Sequence, residues 1–189
     1  MKGINIHTTD EQLMQTVAKD QLDAMRILFD RHHKSIFNYL YRRSQDKGLS
    51  EDICQEVFYK AIRYRKSYQA GKPFLPWIYR ITQNSYQDFY KKEETKKRAF
   101  SELSVEDLLV PSKANALPEK TQERLHWAMN QLKEEDKNLL ILNRIQGLKY
   151  AEIAEITDSN TGAVKVRINR ILQKLRKIYF KDFKNQSNL

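Results

Sequence analysis

The sequence is poor in the residues that make turns and cross-links. It has only five glycines and four prolines among 189 residues, too few for the frequent turns of an all-β protein. Its single cysteine, Cys54, cannot form an internal disulfide, so a reducing compartment is the simplest inference. No apolar run reaches the roughly 18 residues that a transmembrane helix needs, and the N-terminal residues lack the apolar core of a signal peptide. We therefore expect a cytoplasmic protein that does not insert into a membrane.

What the sequence does have is an excess of positive charge. Its 34 Lys and Arg residues outnumber 24 Asp and Glu residues, so the net charge is +10 and the pI is about 9.6. This balance favours an anionic partner, with nucleic acid ahead of a membrane surface. A chain of 189 residues has room for one large domain or two small ones.

The clearest local pattern lies in residues 147–177, which predict a helix, a short turn and a longer basic helix. In the turn, Asp158 tolerates a left-handed backbone, and Asn160 is a good N-cap for the second helix. Ala154 is small where two crossing helices would meet. The apolar positions recur at the spacing of one buried helix face: Ile153, Ala154, Ile156, Val164, Ile168, Ile171, Leu172 and Leu175. The pattern predicts a helix-turn-helix whose second helix can enter a DNA major groove, and a solvated helix with a basic face is the alternative.

A partly acidic face stands out from the basic first half of the chain. Asp52, Gln55 and Glu56 lie off the apolar stripe of their predicted helix. Two carboxylates four residues apart suit a metal ion or acid–base chemistry, but no third ligand at metal spacing and no nucleophile accompany them. The adjacent His32 and His33 point about 100° apart on a helix, so they are not expected to share a metal ion. A solvated face is favoured over catalysis, and protein docking is a third option.

Residues 60–98 interleave aromatic side chains with positive charge. They hold eleven Lys and Arg against three Asp and Glu, a net charge of +8. Gly71 and Pro73 predict a loop within this segment. Aromatic rings stack on unpaired bases, amides read base edges and cations hold phosphates, so the segment has the chemistry of a single-strand-binding surface. The alternative is that the aromatic side chains pack in the core: Tyr64, Tyr68 and Trp77.

Capping residues predict where several helices begin. Thr8 and Glu11 have the spacing of a capping box at the start of the first helix. Ser50 is suited to cap the helix that follows. Pro76 suits the first position of the helix after the predicted loop.

The pattern as a whole divides the chain into three parts. We expect a first helical domain over residues 1–95, a linker over residues 96–118 and a second helical domain over residues 119–189. Within the linker, Pro111 and Pro118 bracket a polar and mildly acidic piece.

Three segments together resemble an extracytoplasmic-function (ECF) RNA polymerase sigma factor of the sigma-70 superfamily. Residues 50–64, SEDICQEVFYKAIRY, resemble the region 2.2 helix that docks on the polymerase core. Residues 74–92, FLPWIYRITQNSYQDFYKK, are similar to the helix that opens and reads the −10 element. Residues 147–177 are similar to the region 4 helix-turn-helix that reads the −35 element, although Asp158 stands where the family usually has Gly. The resemblance covers about residues 10–180 and implies an all-α fold with two small helical domains, region 2 and region 4, joined by a flexible linker.

The resemblance also implies site residues. It assigns binding of the polymerase core to Asp52, Gln55 and Glu56. Residues 66–73 match the loop that captures a flipped −10 base on the non-template strand. The residues implied at the −10 element are Arg63, Arg65, Lys66, Tyr68, Trp77, Arg80, Asn84 and Lys91. Those implied at the −35 element are Asn160, Thr161, Lys165, Arg167, Arg170 and Lys174.

The function implied by the resemblance is that of a promoter-specific initiation factor. Such a protein binds the β′ and β subunits of core RNA polymerase, reads the −35 element as duplex and reads the −10 element as melted non-template strand. The implied partners are the core enzyme, promoter DNA and an anti-sigma factor. No cofactor, metal or catalytic residue is expected, because RNA synthesis belongs to the polymerase. The alternatives are a helix-turn-helix regulator that binds duplex DNA alone and, far less favoured, a nuclease using Asp52, Glu56 and Asp88.

Overall fold

A computed structural model describes residues 8–99 and 119–186 of the chain. The predicted all-α fold is confirmed, because every regular element in these two ranges is helical. The described residues fall into two compact units, with residues 8–99 in the first and residues 119–186 in the second. Most of the predicted linker lies outside the described residues, and its first four residues, 96–99, continue a helix of the first unit.

Within residues 8–99, the first unit contains four helices and one 3₁₀ turn. The elements are α1 (Asp10–Ala18), α2 (Asp23–Ser44), α3 (Lys47–Arg63), the 3₁₀ turn (Arg65–Ser67) and α4 (Phe74–Ala99). Full burial of an apolar side chain stabilises a fold by about 1.5–3 kcal/mol, so each fully buried residue is a substantial contribution to this unit. They include Leu13, Met14, Val17, Leu28, Ile36, Tyr39, Leu40, Val57, Phe74 and Ile78.

The first helix is capped one residue later than the sequence predicts. Thr9, not Thr8, is the N-cap: its Oγ1 accepts from the Gln12 amide at 3.3 Å, and Gln12 Oε1 accepts from the Thr9 amide at 3.1 Å. Glu11 is therefore not the capping-box partner. Its Oε1 instead accepts a hydrogen bond from the amide of Phe74 at 3.1 Å, at the start of α4. The tertiary contact takes the carboxylate away from the local cap.

Two other predicted helix starts are also wrong. Asp46 caps α3, since its Oδ1 accepts from the Leu49 amide at 3.0 Å. Ser50 is buried inside the helix, where its hydroxyl donates to the Asp46 carbonyl at 2.5 Å. The fourth helix begins at Phe74, two residues before Pro76. Proline is tolerated there because the first four amides of a helix have no intrahelical acceptor.

The second unit contains the predicted helix-turn-helix. Its elements are α5 (Glu119–Asn130), α6 (Glu134–Leu140), a π-helical turn (Ile141–Ile145), α7 (Tyr150–Ile156) and α8 (Thr161–Gln186). Its core includes Ala128, Ile141, Leu142, Leu148, Ile153, Ala154, Val164, Ile168 and Ile171.

The turn between α7 and α8 has the geometry that its residues predict. Asn160 Oδ1 accepts from the Ala163 amide at 2.7 Å, which confirms the N-cap. Asp158 is left-handed, with φ of 49°, at the position where the resemblance described above implies a Gly. Ala154 is buried at the crossing, and its carbonyl accepts from the Ser159 amide at 2.9 Å. The Asp158 departure is thus accommodated without loss of the turn.

Candidate nucleic-acid and polymerase interfaces

The acidic and amide face of α3 points to solvent. Asp52, Gln55 and Glu56 are exposed, whereas Ile53 and Val57 on the other side of the helix are buried. The Glu56 carboxylate lies 3.9 Å from Lys60 Nζ, which lies 3.2 Å from Asp88 on α4. One turn further along the face, the Tyr59 side chain is 59% exposed. An aromatic ring beside carboxylates and an amide is suited to bury itself against another protein.

No metal centre accompanies these carboxylates in the part of the chain that the structure describes. There, no group of three or more His, Cys, Asp or Glu side chains is placed to hold an ion. His32 instead contacts Asp10, with its Nε2 at 2.7 Å from Oδ2. The ring of His33 stacks on Phe29 at 4.7 Å. Both histidines are thus explained by packing and hydrogen bonding within the first unit.

The basic-aromatic loop, residues 65–73, is tied to other elements at its first turn. Arg65 Nε donates to Asp20 Oδ1 at 2.7 Å, and its Nη1 donates to the Ile62 carbonyl at 3.0 Å. Lys66 Nζ lies 3.6 Å from the second oxygen of Asp20. The hydrogen bond from Arg65 lowers the pKa of Asp20, with the charge of Lys66 adding to the effect.

Tyr68 is an internal support of the basic-aromatic loop. It is only 7% exposed, its hydroxyl donates to the Lys72 carbonyl, and its ring meets Trp77 edge-on at 5.4 Å. Burial, followed by the charges of Glu11 and Asp10, raises the pKa of Tyr68 to about 12. The core-packing alternative therefore describes Tyr68, whereas Trp77 is part-buried and Tyr64 is 47% exposed.

Polar residues of α4 form one exposed stripe. Their spacings of four, three and four place them on a single helix face: Arg80, Asn84, Gln87 and Lys91. The opposite face carries buried Ile78, Thr82 and Tyr86. At the end of α3, exposed Arg63 has its guanidinium carbon 5.7 Å from the Tyr64 ring centre. The surface combines cations, amides and an exposed ring, as a single-stranded nucleic acid requires.

The second helix of the helix-turn-helix presents a basic face to solvent. Its predicted −35 residues are all exposed: Asn160, Thr161, Lys165, Arg167, Arg170 and Lys174. Val164, Ile168 and Ile171 seat the opposite face in the core. A helix held by one face and cationic on the other has the form of a major-groove reader.

Arg167 differs from its neighbours because it binds carboxylates of the same unit. Its Nη2 donates to Glu135 Oε2 and to Asp136 Oδ1, both at 2.9 Å. These hydrogen bonds, of which the one to Glu135 has the larger effect, raise the pKa of Arg167 against the opposing effect of burial. The side chain ties α8 to the first turn of α6.

Sequence reasoning missed four carboxylates that bind the candidate site residues or their segments. They are Glu11, Asp20, Glu135 and Asp136. Each partner lies 31 to 63 residues away along the chain. Helical periodicity relates only residues three or four apart, so no signal in the sequence indicates these contacts.

Among the described residues, none of the helices combines the length and the apolarity that crossing a bilayer requires.

The chain is similar to known proteins over most of its length. Residues 28–96 match Sigma-70 region 2, and residues 122–175 match Sigma-70, region 4. The RNA polymerase sigma factor SigV of Bacillus subtilis (strain 168) is 31% identical over 169 residues, which cover 89% of this chain and 92% of SigV. The RNA polymerase sigma factor CarQ of Myxococcus xanthus is 29% identical over 160 residues, 82% of this chain and 89% of CarQ.

A solved structure shows the same fold at low identity. It is the sigma factor RpoE of Bartonella quintana in complex with the anti-sigma factor NepR, with a TM-score of 0.65 and 19% identity. The match covers 86% of this chain and 96% of the solved one. With both region matches and a relative above 30% identity, the chain belongs to the extracytoplasmic-function RNA polymerase sigma factors of the sigma-70 family, which act in transcription initiation.

Proposed function

We propose that this sigma factor reads a promoter at two points while it is bound to core RNA polymerase. The observation that carries the proposal is that each of the two units has a basic surface, and that the two surfaces are built differently. One is a single helix face without exposed rings among its predicted contacts, and the other combines a loop, an exposed stripe and aromatic side chains. We propose residues 1–95 and 119–189 as the functional domains and residues 96–118 as the linker between them, with the first four linker residues extending α4.

The −35 element is the duplex half of the proposed recognition. Helix α8 would lie in the major groove with Thr161 and Lys165 near base edges and with Arg170 and Lys174 on the phosphate backbone. A good base contact contributes roughly 1–3 kcal/mol of discrimination. Contacts to phosphate mainly add affinity that falls as salt rises. Since Arg167 is held by Glu135 and Asp136, we assign it chiefly to orienting α8.

The −10 element is the single-stranded half. Melting loses base stacking, and capture of a base on protein recovers roughly 1–3 kcal/mol for each base stacked. We propose that residues 66–73 and part-buried Trp77 capture the flipped base. The stripe of Arg80, Asn84 and Lys91 would then follow the non-template strand along α4.

The exposed face of α3 is the proposed contact with the polymerase core, on its β′ and β subunits. Asp52, Gln55 and Glu56 offer acceptors and an amide, and Tyr59 adds apolar area beside them. The chain itself supplies no catalytic group in this proposal, and it acts in the cytoplasm on the chromosome. By analogy with the RpoE–NepR complex, we also propose that an anti-sigma factor binds this chain.

Transcription in vitro over a library of genomic fragments tests the proposal. The chain is expected to co-elute with core RNA polymerase and to direct initiation downstream of two shared sequence elements. A chain that binds duplex operators tightly by itself, and that does not co-elute with the core enzyme, is instead a helix-turn-helix regulator.

A further inference from the structure

The first helix and the turn that follows it contact the two ends of the basic-aromatic loop. Where the loop begins, Asp20 binds Arg65 and Lys66. Where it ends, Glu11 Oε1 accepts a hydrogen bond from the Phe74 amide at 3.1 Å. Glu11 lies in the first turn of α1, and Asp20 lies two residues past its last residue, Ala18. Residues 65–73 are therefore held at one end by α1 and at the other by the turn that follows it.

Asp20 is suited to this contact by its backbone as well as its charge. Its φ of 68° is left-handed, a conformation that Asp and Asn adopt more readily than most residues. Its amide donates to the Val17 carbonyl at 3.0 Å, which closes the end of α1. Since Arg65 also donates to the Ile62 carbonyl, the first turn of the loop is bound to both α1 and α3.

The first helix is itself firmly anchored. Leu13, Met14 and Val17 have no exposed surface. Asp10 lies 2.7 Å from both Arg31 Nη1 and His32 Nε2 on α2. The loop is thus held against a helix whose own contacts with the core do not involve the loop.

We propose that α1 is a brace for the basic-aromatic loop, and that Asp20 and Glu11 are positioning residues that set base selectivity at the −10 element without touching DNA. The selectivity part rests on the single-strand role proposed above for the loop. Loss of the brace and loss of folding are expected to change DNA binding in different ways. Asp20 offsets part of the positive charge of Arg65 and Lys66, so its removal increases attraction for any DNA strand while the loosened loop discriminates less.

Two charge-removing variants and a control test the brace. Asp20→Asn keeps a residue that tolerates left-handed backbone, and Glu11→Gln keeps an oxygen for the Phe74 amide while removing the charge. Asp30→Asn, an exposed carboxylate on α2, is the matched control. The full-length chain is first measured by thermal unfolding and amide hydrogen exchange. Holoenzymes then select from a randomised single-stranded DNA library.

The Asp20→Asn variant is expected to raise exchange of the amides in residues 65–74 by about two- to fivefold, as loss of an exposed ion pair allows. Its holoenzyme is expected to bind unselected single strands more tightly and to enrich a less defined sequence. Glu11→Gln should show a weaker effect at the Phe74 end, and Asp30→Asn should match the unmodified chain.

The proposal is overturned if both variants leave the loop amides unchanged, or if exchange rises while the enriched sequence stays the same. A fall in both affinity and discrimination, with a matching fall in unfolding temperature, also overturns it, because that is the result of general unfolding. If the unmodified holoenzyme enriches no sequence, the proposed −10 function fails together with the selectivity claim. Amide exchange then still decides whether the brace exists.

Discussion

Arg167 on α8 donates to Asp136 on α6 through both Nε, at 3.1 Å, and Nη2, at 2.9 Å. Asp136 lies in the first turn of α6, and a further hydrogen bond joins Arg167 to Glu135 in the same turn. The pair makes the orientation of the proposed recognition helix depend on a carboxylate outside the helix-turn-helix. It also separates two roles for Arg167, orienting α8 or reading DNA.

A double-mutant cycle distinguishes these roles. Arg167→Ala and the combined Glu135→Ala and Asp136→Ala variant are expected to weaken binding of a −35 duplex equally, and all three substitutions together no further, because each variant removes the same contacts. The expected cost is about 0.2–1 kcal/mol, since the Arg167 side chain is 48% exposed. Holoenzyme titrations on upstream duplex provide the measurement, with Glu134→Ala as the control for charge in the same turn. If removal of both carboxylates leaves affinity unchanged or raises it, Arg167 contacts DNA directly.

Lys165 is expected to act only where the −35 element is read. Lys165→Ala should reduce transcription that depends on the −35 element, with a loss of roughly 1–3 kcal/mol if the side chain reads a base. Initiation from a pre-melted template should change little, because that template needs less upstream binding. Run-off transcription from both templates gives the comparison, and Lys34→Ala on α2 removes the same charge elsewhere. Equal losses on the two templates would argue against a groove contact.

The exposed carboxylates of α3 are expected to matter for polymerase and not for folding. Asp52→Arg combined with Glu56→Arg should weaken binding to the core enzyme by about 2 kcal/mol or more, the usual effect of a central interface residue. The unfolding temperature should stay nearly constant, since both side chains are exposed. Binding is measured with labelled core enzyme, and Asp30→Arg is the matched reversal on α2. Unchanged affinity in the double variant would remove this face from the interface.

The Asp10 cluster predicts a loss of stability in acid. Burial by itself raises the pKa of Asp10, but hydrogen bonds from His32 and Arg31, with their charges, outweigh it and leave the pKa below its ordinary value of 3.8. A carboxyl with a lowered folded pKa stabilises the fold above its unfolded pKa, and this contribution is lost as pH falls through the folded pKa. Asp10→Asn should therefore be less stable than the unmodified chain near pH 7, with the difference shrinking below about pH 4. Urea unfolding across this range measures it, and a difference independent of pH would contradict the assignment.

Local pattern was enough for the elements and for much of the candidate site. The apolar spacing of residues 150–177 predicts two helices and their buried faces, because helix periodicity acts over three or four residues. The turn between them follows from the conformational preferences of Asp158 and Asn160, which belong to single residues. Exposure of the cationic face of α8 follows from the same pattern, since burying unpaired charge is costly.

Helix starts were less predictable because several residues competed for each cap. Thr8 and Thr9 are chemically equal candidates, and in the structure Thr9 is the cap while Glu11 binds the Phe74 amide, 63 residues away. Ser50 has a suitable side chain for a cap, but Asp46 took that role and left the Ser50 hydroxyl in the interior. Capping preferences rank residues at one site and do not choose between neighbouring sites.

By itself, the sequence determined the all-helical class, the helix-turn-helix and the basic character of both proposed DNA surfaces, because each depends on residue type and short-range spacing. Only the tertiary structure decided that Tyr68 is a buried support, that Arg167 is held by Asp136, and that Asp20 and Glu11 hold the loop at its ends. These contacts join residues far apart in the chain. They form only after helix packing has brought the residues together, so no local pattern contains them.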